Sequence, residues 1–330
     1  MAYQKSLSIS NQQSLIQTLS TFITANGWTE DLLDTTNEKA TFHKGSCYVS
    51  FQWDNSDSIA MYQSLGYAGA GANPWAHTDD SGNGVASTSG PFTTERRISG
   101  IGNGSFTRTD FFLSTSPDVV YVVLEFSPGI YRHFAFGNIA KIGDWTGGEF
   151  VAGHYWTTGG TSDDPAYSWH SVLADGITIQ NSAVKVSATL HCEGLPNQGG
   201  SGKWGVIGGA NITEGTDRGA VARVIIQGGC RASTYLTQFG WLPSNLVNAF
   251  VPLIPIPLWY VDETPVGNDE YYLLGFLSNV KHLNIGGFTE AQEITVGGGT
   301  WIIFPIVRKK YDLDDTQQSW NGGLAYKKVP

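Results

Sequence analysis

A chain of 330 residues can bury a generous core, as one large domain or two modest ones. Its formal net charge of −10 argues against nucleic acid or an anionic membrane as partner, since either would select a Lys/Arg surplus. No apolar run reaches the roughly 18 residues of a membrane span, and the opening MAYQKSLSISNQQ lacks the apolar stretch of a signal peptide.

The 41 glycines, with 41% hydrophobic and only 15% charged residues, indicate a turn-rich β protein. The three cysteines, Cys47, Cys192 and Cys230, are odd in number and far apart, which fits folding in a reducing cytoplasm. The 11 Trp, 14 Tyr and 16 Phe suggest aromatic side chains at subunit contacts.

The first element is an amphipathic helix. Ser10 is placed to cap it, Leu15, Ile16, Leu19, Phe22 and Ile23 share one face, and Gly27 closes it. Residues 41–53 read as a hairpin turning at Lys44-Gly45-Ser46, followed by a strand over 59–67. From Ala68 to Phe92 the composition shifts to Gly, Ala, Asn, Ser and Thr, too long a stretch for an ordinary connection. It is expected to order against a neighbour, because only Trp75 and Phe92 offer sizeable anchors. A module boundary is placed there, giving residues 1–85 as a helix-plus-sheet unit and 86–330 as a β-rich body.

Gly102-Asn103-Gly104 carries the strongest short hairpin signal and is expected to join strands on either side. Residues 119–126 and 130–136 are β-branched and aromatic runs separated by Ser127-Pro128-Gly129. This hairpin is read as the centre of the main sheet. Further strands are expected over 184–191, 220–227, 271–277, 293–296 and 300–307. Residues 253–258, LIPIPL, are not expected in a central strand, because each Pro removes a ladder donor. The resulting fold class is α+β and β-dominated: an N-terminal amphipathic helix packed on a sheet, then a large antiparallel body with long Gly-rich loops.

No motif for chemistry stands out. GGSGKW lacks the first Gly and the Ser/Thr of a P-loop, with Asn197 and Trp204 at those places. Ser201 lacks the G-x-S-x-G frame. The seven histidines lie outside any zinc-ligand spacing, so neither a metal nor a cofactor is expected. His191 and Cys192, adjacent in a strand, should face opposite ways. Glu125 with Asp144 or Glu149 could form a glycosidase-type carboxylate pair, but an ordinary solvated or Arg-paired carboxylate is the simpler reading and no enzyme is expected. Surfaces for assembly fit the composition better.

Three stretches carry a resemblance: the helix followed by Ala25-Asn26-Gly27-Trp28, the block YRHFAFGNIAKIGDWTGGEFVAG (131–153), and ITVGGGTWIIFP (294–305). Together they resemble virion structural proteins of tailed bacteriophages, those of the tail, baseplate or neck. The resemblance implies a homo-oligomeric virion part, made in the host cytoplasm, that docks other tail, baseplate or neck proteins and has no catalytic residues. The docking candidates are then Trp75, Phe92, Trp145, Phe150, Tyr155, Trp156, Tyr167, Trp169, Trp259 and Tyr260. The alternative is a host-receptor fibre or collar protein that stacks sugars on Trp145, Trp156 and Trp169.

Overall fold

The computed structural model of the chain describes residues 1–71, 97–98, 101–155, 167–168, 188–195, 204–207, 223–225, 252–262, 270–306 and 322–329. In chain order the first elements are β1 (Ala2–Ser6), α1 (Gln12–Thr24), β2 (Thr29–Asp34), β3 (Lys39–Lys44), β4 (Cys47–Trp53), β5 (Ile59–Ser64) and β6 (Arg97–Ile98). Then come β7 (Arg108–Thr115), β8 (Asp118–Ser127), β9 (Ile130–Asn138), β10 (Ala140–Lys141), β11 (Thr146–Ala152), β12 (His154–Tyr155), β13 (Tyr167–Ser168) and β14 (Ala188–Glu193). The rest are β15 (Trp204–Ile207), β16 (Arg223–Ile225), β17 (Ile254–Asp262), β18 (Glu270–Asn284), β19 (Gln292–Val296), β20 (Gly299–Pro305) and β21 (Gly322–Lys328). Strands dominate, one helix is present among the described residues, and every strand pair but β15 with β16 is antiparallel.

The main sheet has 14 strands, in the order β1-β7-β8-β9-β11-β14-β15-β16-β17-β18-β21-β20-β19, with β10 paired to β18. A second sheet of five runs β2-β3-β4-β5-β6. The β8–β9 hairpin forms as its sequence predicts, but it lies third and fourth from one edge of the main sheet rather than at its centre; it reads as central because it is buried on both faces. Val119, Tyr121 and Val123 enter one apolar cluster, while Val120, Val122 and Leu124 enter another. Period-two alternation between two cores leaves no position for a polar residue, so the strand reads as one apolar run.

The first cluster joins β8, β9 and β11 to Ile256, Leu258, Leu277, Ile302, Phe304 and Tyr326 from the far half of the same sheet. The main sheet therefore folds over onto itself. Phe112 stacks on Tyr326 at 5.1 Å, and Tyr121 Oη donates to the Ser278 carbonyl at 2.7 Å. The second cluster unites Leu15, Ile16, Leu19, Phe22 and Ile23 of α1 with Phe42, Phe51 and Trp53 of the five-stranded sheet and with Phe111, Phe134 and Phe136. Phe22 lies 5.6 Å from Phe111, ring to ring. The division placed at residue 85 falls outside the described residues.

Three local expectations change. Asn11, not Ser10, caps α1: its backbone is extended and its side chain accepts from Ser14 N at 2.8 Å. The Gly102–Gly104 turn does not make a hairpin, since β6 pairs with β5 and β7 with β1 and β8. It instead buttresses the helix start, where Gln12 Nε2 donates to the Gly102 carbonyl at 2.9 Å. The third change is the Pro-rich run, which does lie in an interior strand, β17, between β16 and β18. Both prolines are tolerated because β16 reaches only Trp259 and Tyr260, leaving Pro255 and Pro257 without a neighbour strand on that side among the described residues. Register shifts after Pro255 and Leu258 absorb the irregularity.

One glycine is required by close approach. Gly137 has φ +131°, and a Cβ there would stand 2.4 Å from the Asp118 carbonyl oxygen.

Candidate functional site

The aromatic residues singled out from sequence fall into three groups. Trp75, Phe92, Trp156 and Trp169 lie outside the described residues. Tyr155 and Tyr167 are opposed across the β12–β13 pair, while Trp259 and Tyr260 of β17 pair with β16 and with Leu273 and Tyr272 of β18. Trp145 and Phe150 are inside the chain's own core. Phe150 is fully buried among β-strand residues, and Trp145 is 9% exposed. Trp145 Nε1 donates to the Ile142 carbonyl at 2.8 Å, and Lys141 Nζ lies 5.2 Å from the ring centroid. The Phe150 ring thus has no surface to offer a neighbour, and little of the Trp145 indole is open to a sugar.

Glu125 and Glu149, weighed as a carboxylate pair, are far apart. Glu125 is opposite Tyr131 and Glu149 opposite Asn138, at the two ends of β9. At about 3.3 Å per residue that separates them by roughly 20 Å, whereas a glycosidase pair needs about 5 to 9.5 Å. Glu125 instead accepts from Gly129 N at 2.9 Å, tightening the hairpin turn.

Glu149 belongs to a different group. Ser46 Oγ, in the β3–β4 turn, donates to Glu149 Oε1 at 2.5 Å. His191 places Nδ1 2.8 Å from Glu149 Oε2 and Nε2 2.7 Å from Glu193 Oε1. A carboxylate only accepts, so both ring nitrogens donate and the group is an imidazolium between two carboxylates. Burial opposes both charges. The hydrogen bonds from His191 and Ser46 outweigh it and hold Glu149 down to about 2, while the two carboxylates raise His191 above its ordinary value. Burial also pushes the nearby Cys47 thiol up, with the Glu149 and Asp118 charges adding to it. A carboxylate this acidic is a poor base and a thiol this basic a poor nucleophile; the arrangement acts as a brace. It ties the β3–β4 turn to β11 and β14, reinforced by Lys44 Nζ, 3.1 Å from Asp118 Oδ1. As the sequence indicated, Cys192 faces the other way, into the first core cluster.

A second buried histidine is neutral. His133 Nε2 donates to the Pro305 carbonyl at 2.9 Å, which leaves Nδ1 to accept from Tyr326 Oη at 2.8 Å. Burial lowers its pKa to about 4. The bond crosses the fold from β9 to the last strand.

The two ends of the main sheet lie together. Lys328 Nζ, on β21, is 2.7 Å from Glu293 Oε1 of β19 and 5.2 Å from the Tyr3 ring centroid of β1. Behind Tyr3, its hydroxyl donates to buried Asp110 at 2.7 Å, and Arg108 donates to both oxygens of the same carboxylate, at 2.5 and 2.9 Å. The sheet is therefore closed on one side by the β14–β15 pair and open on the other between β1 and β19. Among the described residues neither edge has a further strand partner. Nothing in the sequence flagged Lys328, Glu293 or Tyr3 as neighbours, and the only local hint for the His191 brace is the same-face spacing of His191 and Glu193.

The chain matches no protein-family model and no curated protein.

Proposed function

We propose that this protein is a structural component of a tailed-bacteriophage particle, a tail or baseplate part that assembles as a symmetric homo-oligomer and docks other virion proteins. In this reading the N-terminal helix and small sheet pack against a large antiparallel body with long Gly-rich loops, made in the host cytoplasm and incorporated into the virion. The observation that carries the assembly part is the pair of sheet edges, β1 and β19, which have no further strand partner among the described residues and are brought together on one side of the fold and tied by Lys328. Unpaired edge strands are the usual template for strand addition. The phage part is carried by the sequence resemblance. The buried charges that could have suggested chemistry, Glu149 and His191, already hold one another.

Two measurements test the reading. Sedimentation of the purified chain is expected to give a discrete oligomer, and immunogold labelling of purified virions is expected to mark one station on the particle. A strictly monomeric chain with no label on virions overturns it. Specific saccharide binding by the isolated chain would favour the receptor alternative.

A further inference from the structure

Resting on the homo-oligomer reading, the open side of the sheet supplies a specific interface. We propose that two copies of this chain join edge to edge, β1 of each pairing antiparallel with β19 of the other, about a two-fold axis that runs along the strands.

The geometry begins with strand polarity. From β1 to β19 the sheet makes an odd number of antiparallel steps and one parallel step, so β19 runs opposite to β1. The two edges also lie side by side, since one lysine reaches both. Rotation by half a turn about an axis parallel to the strands keeps strand direction and exchanges the two layers. It brings β1 of one copy beside β19 of the other in antiparallel sense, and makes the reciprocal pair at once. Such a contact is isologous and closes on itself.

The register is then set by matching length and charge. Both edges are five residues long. With full overlap Lys5 stands opposite the partner's Glu293, Tyr3 opposite the partner's Thr295, and Ala2 opposite the partner's Val296. Lys5 is exposed, has no ion-pair partner among the described residues, and is the one charged residue of β1, as Glu293 is of β19. They also share a face. Tyr3, two residues from Lys5, is opposite Phe112, and Glu293 is opposite Ile302, and both Phe112 and Ile302 point into the same core. Opposite charges directly across a strand pair are favourable and like charges are not. In a chain of net charge −10, such a match between two edges is what allows copies to approach there.

Exposed apolar side chains mark the same places. Of the four large apolar residues exposed among those described, Met1 (42%) and Leu7 (63%) flank β1, and Val296 (43%) ends β19. In the proposed register Ala2 stands opposite the partner's Val296, and Met1 lies just beyond that pair at the same end of each ladder.

The test uses the full chain in analytical ultracentrifugation and a disulfide trap. Lys5→Glu, at an exposed position, is expected to weaken the dimer at least tenfold while circular dichroism stays unchanged. Glu293→Lys weakens it further, because it also sets a lysine beside Lys328 of the same chain, and the double swap Lys5→Glu/Glu293→Lys recovers association relative to Glu293→Lys alone. Lys5→Cys combined with Glu293→Cys should give a covalent dimer under mild oxidation. An oligomer that Lys5→Glu leaves intact and that yields no covalent dimer overturns this interface but leaves the homo-oligomer reading standing. A wild-type chain that stays monomeric at every concentration overturns both.

Discussion

Tyr121 Oη donates to the carbonyl of Ser278 at 2.7 Å, a bond between the middle strand of one layer and its facing strand in the other. Tyr121 is 1% exposed, so this hydroxyl has no water to fall back on. It fixes how the sheet lies when folded over on itself.

Removing that hydroxyl alone should be measurable. Tyr121→Phe keeps the ring in place and deletes one buried hydrogen bond, worth about 1 kcal/mol, with a further cost if the carbonyl is left unsatisfied. Urea unfolding should show a lowered midpoint with unchanged slope. No change in midpoint would mean the layers are held without this bond.

Gly137 and Gly45 make a matched pair. Both have positive φ, +131° and +59°, but a Cβ at Gly137 meets the Asp118 carbonyl at 2.4 Å whereas one at Gly45 meets nothing within 4 Å. Gly45→Ala should cost about 1 kcal/mol, from backbone strain alone. Gly137→Ala should cost on the order of 3 kcal/mol or prevent folding, because strain and a backbone clash add. Equal thermal shifts in the two variants would contradict the close packing of β8 on β9.

Acid should unfold this protein early. His133 and His282 are buried and held neutral, both lowered by burial from 6.5 to about 4. The unfolded chain binds these protons as pH drops below about 6.5 while the folded chain does not until about 4. Stability is therefore complete above 6.5 and falls as pH declines toward 4, by roughly 3 kcal/mol per histidine. His282, whose Nδ1 has no hydrogen-bond partner among the described residues, is the cleaner one to replace. Chemical denaturation from pH 7.5 to 4.5 should show a shallower slope for His282→Leu. A stability that is flat across that range would show that both sites are open to water.

The His191 brace has the opposite dependence on its cation. With its folded pKa raised, His191 contributes stability that is fully present below its unfolded value of about 6.5 and is lost as pH rises through the folded value. Glu149, lowered from 4.5 to about 2, contributes in full above its unfolded value and loses its share as pH falls from there through 2. His191→Phe leaves a buried carboxylate without its main donor and should destabilise by about 3 kcal/mol. It should also raise the Glu149 titration, followed by carboxyl carbon chemical shifts. If those shifts do not move, His191 and Glu149 are not coupled.

What could be read from sequence follows from how local each feature is. The helix and the β8–β9 hairpin announced themselves because their burial is periodic along one stretch of chain. The Pro-rich run misled because Pro255 and Pro257 are acceptable only where β16 stops short, and the length of a strand some thirty residues earlier is invisible from the prolines themselves. The brace needed Ser46, Glu149 and His191, which no spacing rule connects. The open side needed Tyr3, Glu293 and Lys328, and only the fold-over of the sheet makes them neighbours. Trp145 and Phe150 drew notice as aromatic residues near glycines, but composition does not tell a core ring from a surface one.

Every buried residue of the cluster beneath α1 lies between Ile9 and Val151, while the cluster between the layers of the main sheet is completed only by residues up to Tyr326. During synthesis the helix, the small sheet and β7 to β11 can therefore condense while the later half of the chain is still being made. At typical elongation rates that interval is on the order of ten seconds or more. Throughout it, Phe112, Tyr121 and Phe150 form a finished but uncovered apolar wall. The nascent protein is thus most exposed to misassociation when it is half built, and overexpression faster than its second half can arrive should send it into inclusion bodies.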